Sequence, residues 1–255
     1  MTIKMDICSD LGEGYGRYEL ANDEALMEII SSANIACGFH AGDPRTIQKS
    51  VQSAIKTGTG IGAHPGFPDR VGFGRRDMIL SYEEVYTDVL YQIGAVFAFA
   101  KANGAKLQHV MAHGQLHNMA QFNEVYAEAI TDAVYDFDPN TILICLPGKL
   151  LALAEKKGLK PATVIFADRR YNDDKSLVSR REKNAVITDE NEVIEKVLDL
   201  VIRKKATSIN GKDLDIVGDT LLLHGDTQGS LSLAKKIKEA LLDAGVEISP
   251  LGKWL

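Results

Sequence analysis

The chain has 255 residues, 45% hydrophobic and 25% charged, with 29 Lys and Arg against 35 Asp and Glu, a net charge of −6. That balance excludes a disordered or collagen-like chain. A mildly acidic protein without a basic block is also a poor partner for nucleic acid or an anionic membrane. The length suits one α/β barrel domain over 1–255.

In chain order, short apolar runs predict strands at 3–9, 33–37, 60–63, 107–112, 141–146, 162–166 and 219–223. Helix-period segments alternate with them near 22–32, 44–57, 81–103, 120–136, 148–157, 189–205 and 230–244. The helix at 81–103 has the clearest punctuation: Ser81 as N-cap, Glu83 and Glu84 in its first turn, and Asn103-Gly104 as stop. An Asn-Gly pair at 210–211 predicts a small hairpin. Strict alternation of strand and helix predicts a parallel sheet, and the spacing fits either a closed barrel or an open doubly wound sheet. Strand faces favour the barrel. Lys4, Asp6, Cys8 and Asp10 share one face of the first strand, and His109, Met111 and His113 share one face of the fourth. A polar-sided internal parallel strand suits a barrel lumen opening onto a site.

Three cysteines, Cys8, Cys37 and Cys145, with no CxxC pair predict free thiols in a reducing compartment. No apolar run reads as a signal peptide or a membrane span, so a cytoplasmic location is expected.

The chemistry gathers at predicted strand C-termini, which in parallel α/β folds converge on one face. His40, His64, His113, His117 and His224 all fall there, five of the six histidines. Asp10 and Glu13 end the first strand, and Asp168, Arg169 and Arg170 end the sixth. Glycines flank most of these positions and permit close backbone approach to a ligand. Arg75, Arg169 and Arg180 suit a substrate carboxylate or phosphate. Asp43, Asp168 and Asp226 can serve as bases or can orient histidines, although Asp43 before Pro44 also reads as a helix cap. His109, His113 and His117 are four apart, but 107–112 reads as a strand, which breaks the helical ligand spacing. Asp10 with His40 and His64 can instead hold a divalent ion. There is no Walker A loop, no nucleophile elbow and no activated cysteine.

Six stretches carry a resemblance: SDLGEGYG (9–16), SANIACGFHAGDP (32–44), IGAHPGFPDRVGFGRR (61–76), the helix at 81–104, FADRRYNDDKSLVSR (166–180) and DTLLLHGD (219–226). On these the chain resembles the LamB/YcsF family of prokaryotic 5-oxoprolinase A subunits. The resemblance implies a seven-stranded β/α barrel, TIM-like and related to the glycoside hydrolase/deacetylase superfamily. It also implies that, with B and C subunits and ATP, the lactam of 5-oxo-L-proline is opened to L-glutamate, ADP and phosphate. Asp10, His40, His64, His113, Asp168, His224 and Asp226 match family positions, and we read them as the expected catalytic set. Glu13, Asp43, Arg75, Arg169, Tyr171 and Arg180 are the expected substrate or phosphate contacts. Within that set, His113 and His224 are expected to move protons.

The family pattern K-P-H-G-A-L-Y-N reads MAHGQLHN at 111–118, and L-N-C-D reads ICSD at 7–10. Met111 thus stands for lysine, Ala112 for proline, Gln115 for alanine, His117 for tyrosine and Cys8 for asparagine. Met111 is expected to fill apolar space in the lumen, and His117 to replace the tyrosine as a polar donor. The alternatives these departures open are a stand-alone metal-dependent amidohydrolase or deacetylase, or a non-catalytic barrel subunit.

Overall fold

The computed structural model describes residues 2–18, 22–180, 182–223 and 230–255. Parallel strands β1 (Lys4–Leu11), β2 (Ser32–Ala36), β3 (Gly60–His64), β4 (His109–Met111), β5 (Ile142–Cys145) and β6 (Lys160–Phe166) pair in chain order. β7 (Lys205–Thr207) and β8 (Asp213–Asp215) form a separate antiparallel hairpin, as the Asn-Gly turn predicts. β9 (Thr220–Leu223) pairs with both β6 and β1, so seven parallel strands close into a barrel. A short β10 (Glu247–Ile248) adds to the start of β1.

Helices wrap the barrel: α1 (Asp23–Met27), α2 (Pro44–Thr57), α3 (Tyr82–Ala102), α4 (Gly114–Phe122), α5 (Glu124–Phe137), α6 (Lys149–Lys157), α7 (Glu190–Leu198) and α8 (Ser230–Asp243). α3 starts at a full capping box, the Ser81 hydroxyl accepting from Glu84 N–H while the Glu84 carboxylate accepts from Ser81 N–H. The helix predicted near 120–136 is two helices. The first begins directly after β4, and Asn123 ends it and caps the second by accepting from Val125 N–H. The segment predicted as one helix over 189–205 passes into a π-helical turn at Asp199–Arg203 and ends at Lys204 in a left-handed conformation.

Strand alternation creates two apolar regions. Ile7, Ile35, Ala63, Val110, Leu143, Ile165 and Leu221 point outward and pack with helix residues such as Val51, Val89, Ile93, Ile130 and Ile237. Cys8, Met111, Ile144, Val164, Phe166 and Leu222 point inward and fill the lumen. Met111 therefore occupies apolar space, as its place on the strand predicts. All three cysteines are buried and free.

The rest of the lumen is polar and internally paired. His109 donates Nε2–H to Asn34 Oδ1 at 2.8 Å, and Asn34 donates to Asp10 Oδ1 at 3.0 Å. Gly62 makes room for this chain, since a Cβ there would stand 2.0 Å from His109 Nε2. Below, Asp6 accepts from the hydroxyls of Ser31, Ser32 and Thr220 at 2.6, 2.7 and 2.6 Å. Among the described residues no helix is long and apolar enough to cross a membrane.

Candidate active site

The strand ends bring five of the expected residues together. β1 delivers Asp10 and then Glu13, the turn after β2 delivers His40, β3 ends on His64, and His113 caps the N-terminus of α4. Glu13 and the three histidines each offer a donor atom, and these atoms all lie within 4.8 Å of one another. All three imidazoles are buried, at 1–2% exposure. The loop at 66–76 closes over them. Gly74 has φ +64, and a Cβ there would come 2.8 Å from His113 and 2.9 Å from His40. Phe73 also has positive φ, uncommon outside glycine, and its carbonyl faces His113.

Hydrogen bonds to carbonyls fix two of the ring tautomers, because a carbonyl can only accept. His64 Nδ1 is 2.7 Å from the Met111 carbonyl, so Nδ1 carries the proton, which leaves Nε2 bare in the neutral ring. His113 Nε2 is 2.9 Å from the Phe73 carbonyl, so Nε2 carries the proton and Nδ1 is bare. The two bare nitrogens face each other at 3.0 Å. Asp10 Oδ1 lies 3.3 Å from His64 Nε2, and Glu13 Oε1 lies 3.6 Å from His113 Nδ1 and 3.4 Å from His40 Nε2. His40 stacks on His113 with centroids 3.7 Å apart and planes within 1°, and neither of its nitrogens has a hydrogen-bond partner. Burial holds His113 down at about 3, against the pull of Asp10, and keeps His40 well below its ordinary value. Both rings are neutral at neutral pH.

A cationic side adjoins this cluster. Arg169 is 7% exposed, and its Nη2 donates to the Val178 carbonyl while its buried Nε has no hydrogen-bond partner. Burial lowers Arg169 to about 10, and neighbouring Arg180 and Arg75 push the same way, opposed by Asp168. The Arg75 guanidinium lies over the Phe73 ring, 5.1 Å from its centroid.

Other expected residues do different work. Asp43 caps α2, accepting from Arg45 and Thr46 N–H through one oxygen and from Gly16 N–H through the other, which holds its carboxyl below the usual range. Tyr171 is buried beneath the strand end, where its hydroxyl accepts from Phe166 N–H. His117 is not part of the cluster that Glu13 forms with the other three imidazoles. Its Nε2 accepts from Leu146 N–H at 3.0 Å, so this atom is an acceptor bracing β5 rather than the donor expected from the tyrosine position. His224 and Asp226 lie outside the described residues.

Two contributors give little sign of themselves in the sequence. Asn34 is one polar position in the apolar run 33–37, and its lumen-facing parity with Asp10 is the signal that identifies it. Lys196 sits on a helix rich in charge and carries no sequence signal, yet its ammonium is buried against the carbonyls of Phe166, Ala167 and Arg169.

The sequence matches the LamB/YcsF family over residues 5–255. A Campylobacter jejuni protein named as the A subunit of 5-oxoprolinase is 47% identical over 253 residues, covering 99% of each chain. The crystal structure of a lactam utilization protein from Thermus thermophilus superposes with a TM-score of 0.93 at 42% identity, over 98% of this chain and 100% of that one. A structure titled T48 deacetylase with substrate has a TM-score of 0.50 at 16% identity, over 98% of this chain and 89% of that one, which is a likeness of fold alone. With a barrel of the same closure and a family match from the first strand to the last residue, the chain belongs to the LamB/YcsF family.

Proposed function

We propose that this chain is the A subunit of a 5-oxoprolinase: with B and C subunits and ATP it opens the lactam of 5-oxo-L-proline to L-glutamate, releasing ADP and phosphate. The observation that carries the reading is the cluster of buried His40, His64 and His113 with half-buried Asp10 and Glu13 at the strand ends, in a chain whose full-length relatives are called 5-oxoprolinase A subunits. A lactam carbonyl is a weak electrophile, and ATP activates it by taking the amide oxygen into a phosphate ester. The γ-phosphoryl group moves to the amide oxygen as ADP leaves, water adds at the carbon, the C–N bond breaks as the nitrogen takes a proton, and a second water splits the resulting γ-glutamyl phosphate into glutamate and phosphate.

The residues divide this labour by chemistry. His113 commits its proton to the Phe73 carbonyl and turns its other nitrogen to His64, which disfavours the free proton carrier expected of it. His40, neutral and with both nitrogens open, is the ring able to take or give a proton beside Glu13. Arg169, Arg75 and Arg180 form the side that receives the substrate carboxylate or the phosphoryl group, with Asp168 among them. His224 and Asp226, at family-matched positions, complete the catalytic set in this reading.

The test is co-expression with candidate B and C partners, followed by glutamate and phosphate release from 5-oxoproline and ATP. Coupled release by the wild type, and its loss in His40→Ala, is the expected result. An assembled complex that releases neither product overturns the reading. A Met111→Lys variant run alongside reports whether the lumen methionine accounts for such silence.

A further inference from the structure

We infer that His64 Nε2, His113 Nδ1 and the Glu13 carboxylate, with Asp10 beside His64, form a binding site for one divalent transition-metal ion, and that His40 faces this site without ligating it.

The argument starts from the fixed tautomers. In its neutral form His64 commits its proton to the Met111 carbonyl, as His113 commits its own to the Phe73 carbonyl. Two lone pairs then confront each other at 3.0 Å inside the protein. Lone pairs at that distance repel, so a positive centre must lie between them, either a proton or a metal ion. A single proton would join those two nitrogens alone. A metal ion would also engage the Glu13 oxygen 3.6 Å from His113 Nδ1 and the Asp10 oxygen 3.3 Å from His64 Nε2.

The spacing fits a metal. Ligand atoms about 2.0–2.2 Å from one ion stand roughly 3.0–3.5 Å apart in octahedral or tetrahedral geometry. The separations of 3.0 and 3.3 Å fall within that range, and the third, 3.6 Å, lies just beyond it. Neutral imidazoles with carboxylates suit Zn²⁺, Co²⁺, Ni²⁺, Fe²⁺ or Mn²⁺ rather than Ca²⁺ or Mg²⁺. The outer contacts are those of a metal centre too. Each ligating ring gives its second nitrogen to a backbone carbonyl, and Asn34 holds Asp10.

His40 shares the cluster but not the ion. A metal binds in the plane of an imidazole, and the His40 plane is parallel to that of His113 with centroids 3.7 Å apart. One ion cannot lie in both planes. His40 Nε2 instead faces the Glu13 oxygen at 3.4 Å, the place of an outer-shell donor.

The test needs no substrate, so it stands or falls apart from the lactam reading. Chelator-treated protein is titrated with Co²⁺ alone, followed by calorimetry and by visible d–d absorption, with Zn²⁺ as competitor. One Co²⁺ per chain is expected, displaced by Zn²⁺. His64→Gln and His113→Gln should each weaken uptake by more than roughly 100-fold, beyond the cost of losing an outer-shell partner. His40→Gln should keep one ion per chain and lose no more than about 10–100-fold. Circular dichroism confirms that each variant is folded. If His64→Gln fails to fold, ¹⁵N chemical shifts of wild-type His64 and His113, with and without Zn²⁺, carry the test. Folded wild type that takes up no Co²⁺, with ¹⁵N shifts showing one protonated ring, would assign the gap to a proton and overturn the proposal. Loss of uptake in His40→Gln as complete as in His64→Gln would overturn the ligand set.

Discussion

Lys196 Nζ donates to the backbone carbonyl of Arg169 at 2.5 Å, tying α7 to the turn that carries Asp168 and Arg169 past the end of β6. The same ammonium reaches the carbonyls of Phe166 at 2.7 Å and Ala167 at 3.2 Å. Three acceptors need three N–H groups, so the ammonium form is the one this geometry uses. Burial works against it and lowers Lys196 to about 7, although Asp168 pulls upward.

Lys196→Met would leave three strand-end carbonyls without their donor. Unmade bonds of this kind cost about 1–3 kcal/mol each in buried surroundings, partly recovered by water. A net loss of roughly 2–4 kcal/mol is expected, read as a lower urea midpoint at unchanged slope. The Asp168–Arg169 turn should loosen before the barrel does, seen as faster amide exchange at 167–170. A midpoint equal to wild type would remove the lysine from this role.

Asp6 makes a pH-dependent contribution at the other end of the lumen. Burial raises its carboxyl from 3.8 to about 6, against three hydroxyl donors that pull it down. Between those values the folded chain holds a proton that the unfolded chain has released. The associated stability is fully present below pH 3.8 and is lost as pH rises through about 6. Asp6→Asn cannot titrate. The stability of Asp6→Asn relative to wild type should therefore rise by on the order of 3 kcal/mol between about pH 4 and about pH 7. Parallel denaturation curves of the two proteins across that range would contradict the assignment.

Much of this arrangement is legible in the sequence, because period-two alternation in β1 and β4 already separates lumen from shell. Asp10, Cys8, His109 and Met111 fall on the correct face for that reason alone. The convergence of Glu13, His40, His64 and His113 follows from strand-end position in a parallel barrel. Orientation is what sequence does not carry. His117 and His113 lie one helical turn apart at the same strand end, yet one braces Leu146 and the other enters the cluster. The break between α4 and α5 is hidden because Asn123 interrupts an otherwise continuous helical pattern. Lys196 is invisible because a lysine on an amphipathic helix reads as solvent-facing until the loop it supports has been placed.

Gly62 shows how tightly the lumen fixes the polar chain beneath the cluster. Its missing side chain is the space His109 occupies, and His109 holds Asn34, which holds Asp10. Gly62→Ala would push the imidazole off Asn34, combining overpacking with a broken buried hydrogen bond. Together these cost roughly 2–4 kcal/mol. A thermal midpoint within error of wild type would show that the lumen yields more easily than its geometry indicates.

Arg169 separates binding from chemistry. Its guanidinium is nearly buried, one Nη is spent on the Val178 carbonyl, and the Nε–H has no hydrogen-bond partner within the protein. A buried donor of this kind is costly unless a ligand completes it. If it receives the substrate carboxylate, the contact exists before any bond changes and persists through the reaction. Arg169→Gln should then raise KM for 5-oxoproline in the assembled complex while leaving kcat within a few-fold. A charge-assisted hydrogen bond of about 1.5–3 kcal/mol corresponds to roughly 10–150-fold in KM. Loss confined to kcat would place Arg169 on the activated phosphate instead. Unchanged kinetics with a lower melting temperature would make it a brace for the 170–180 loop.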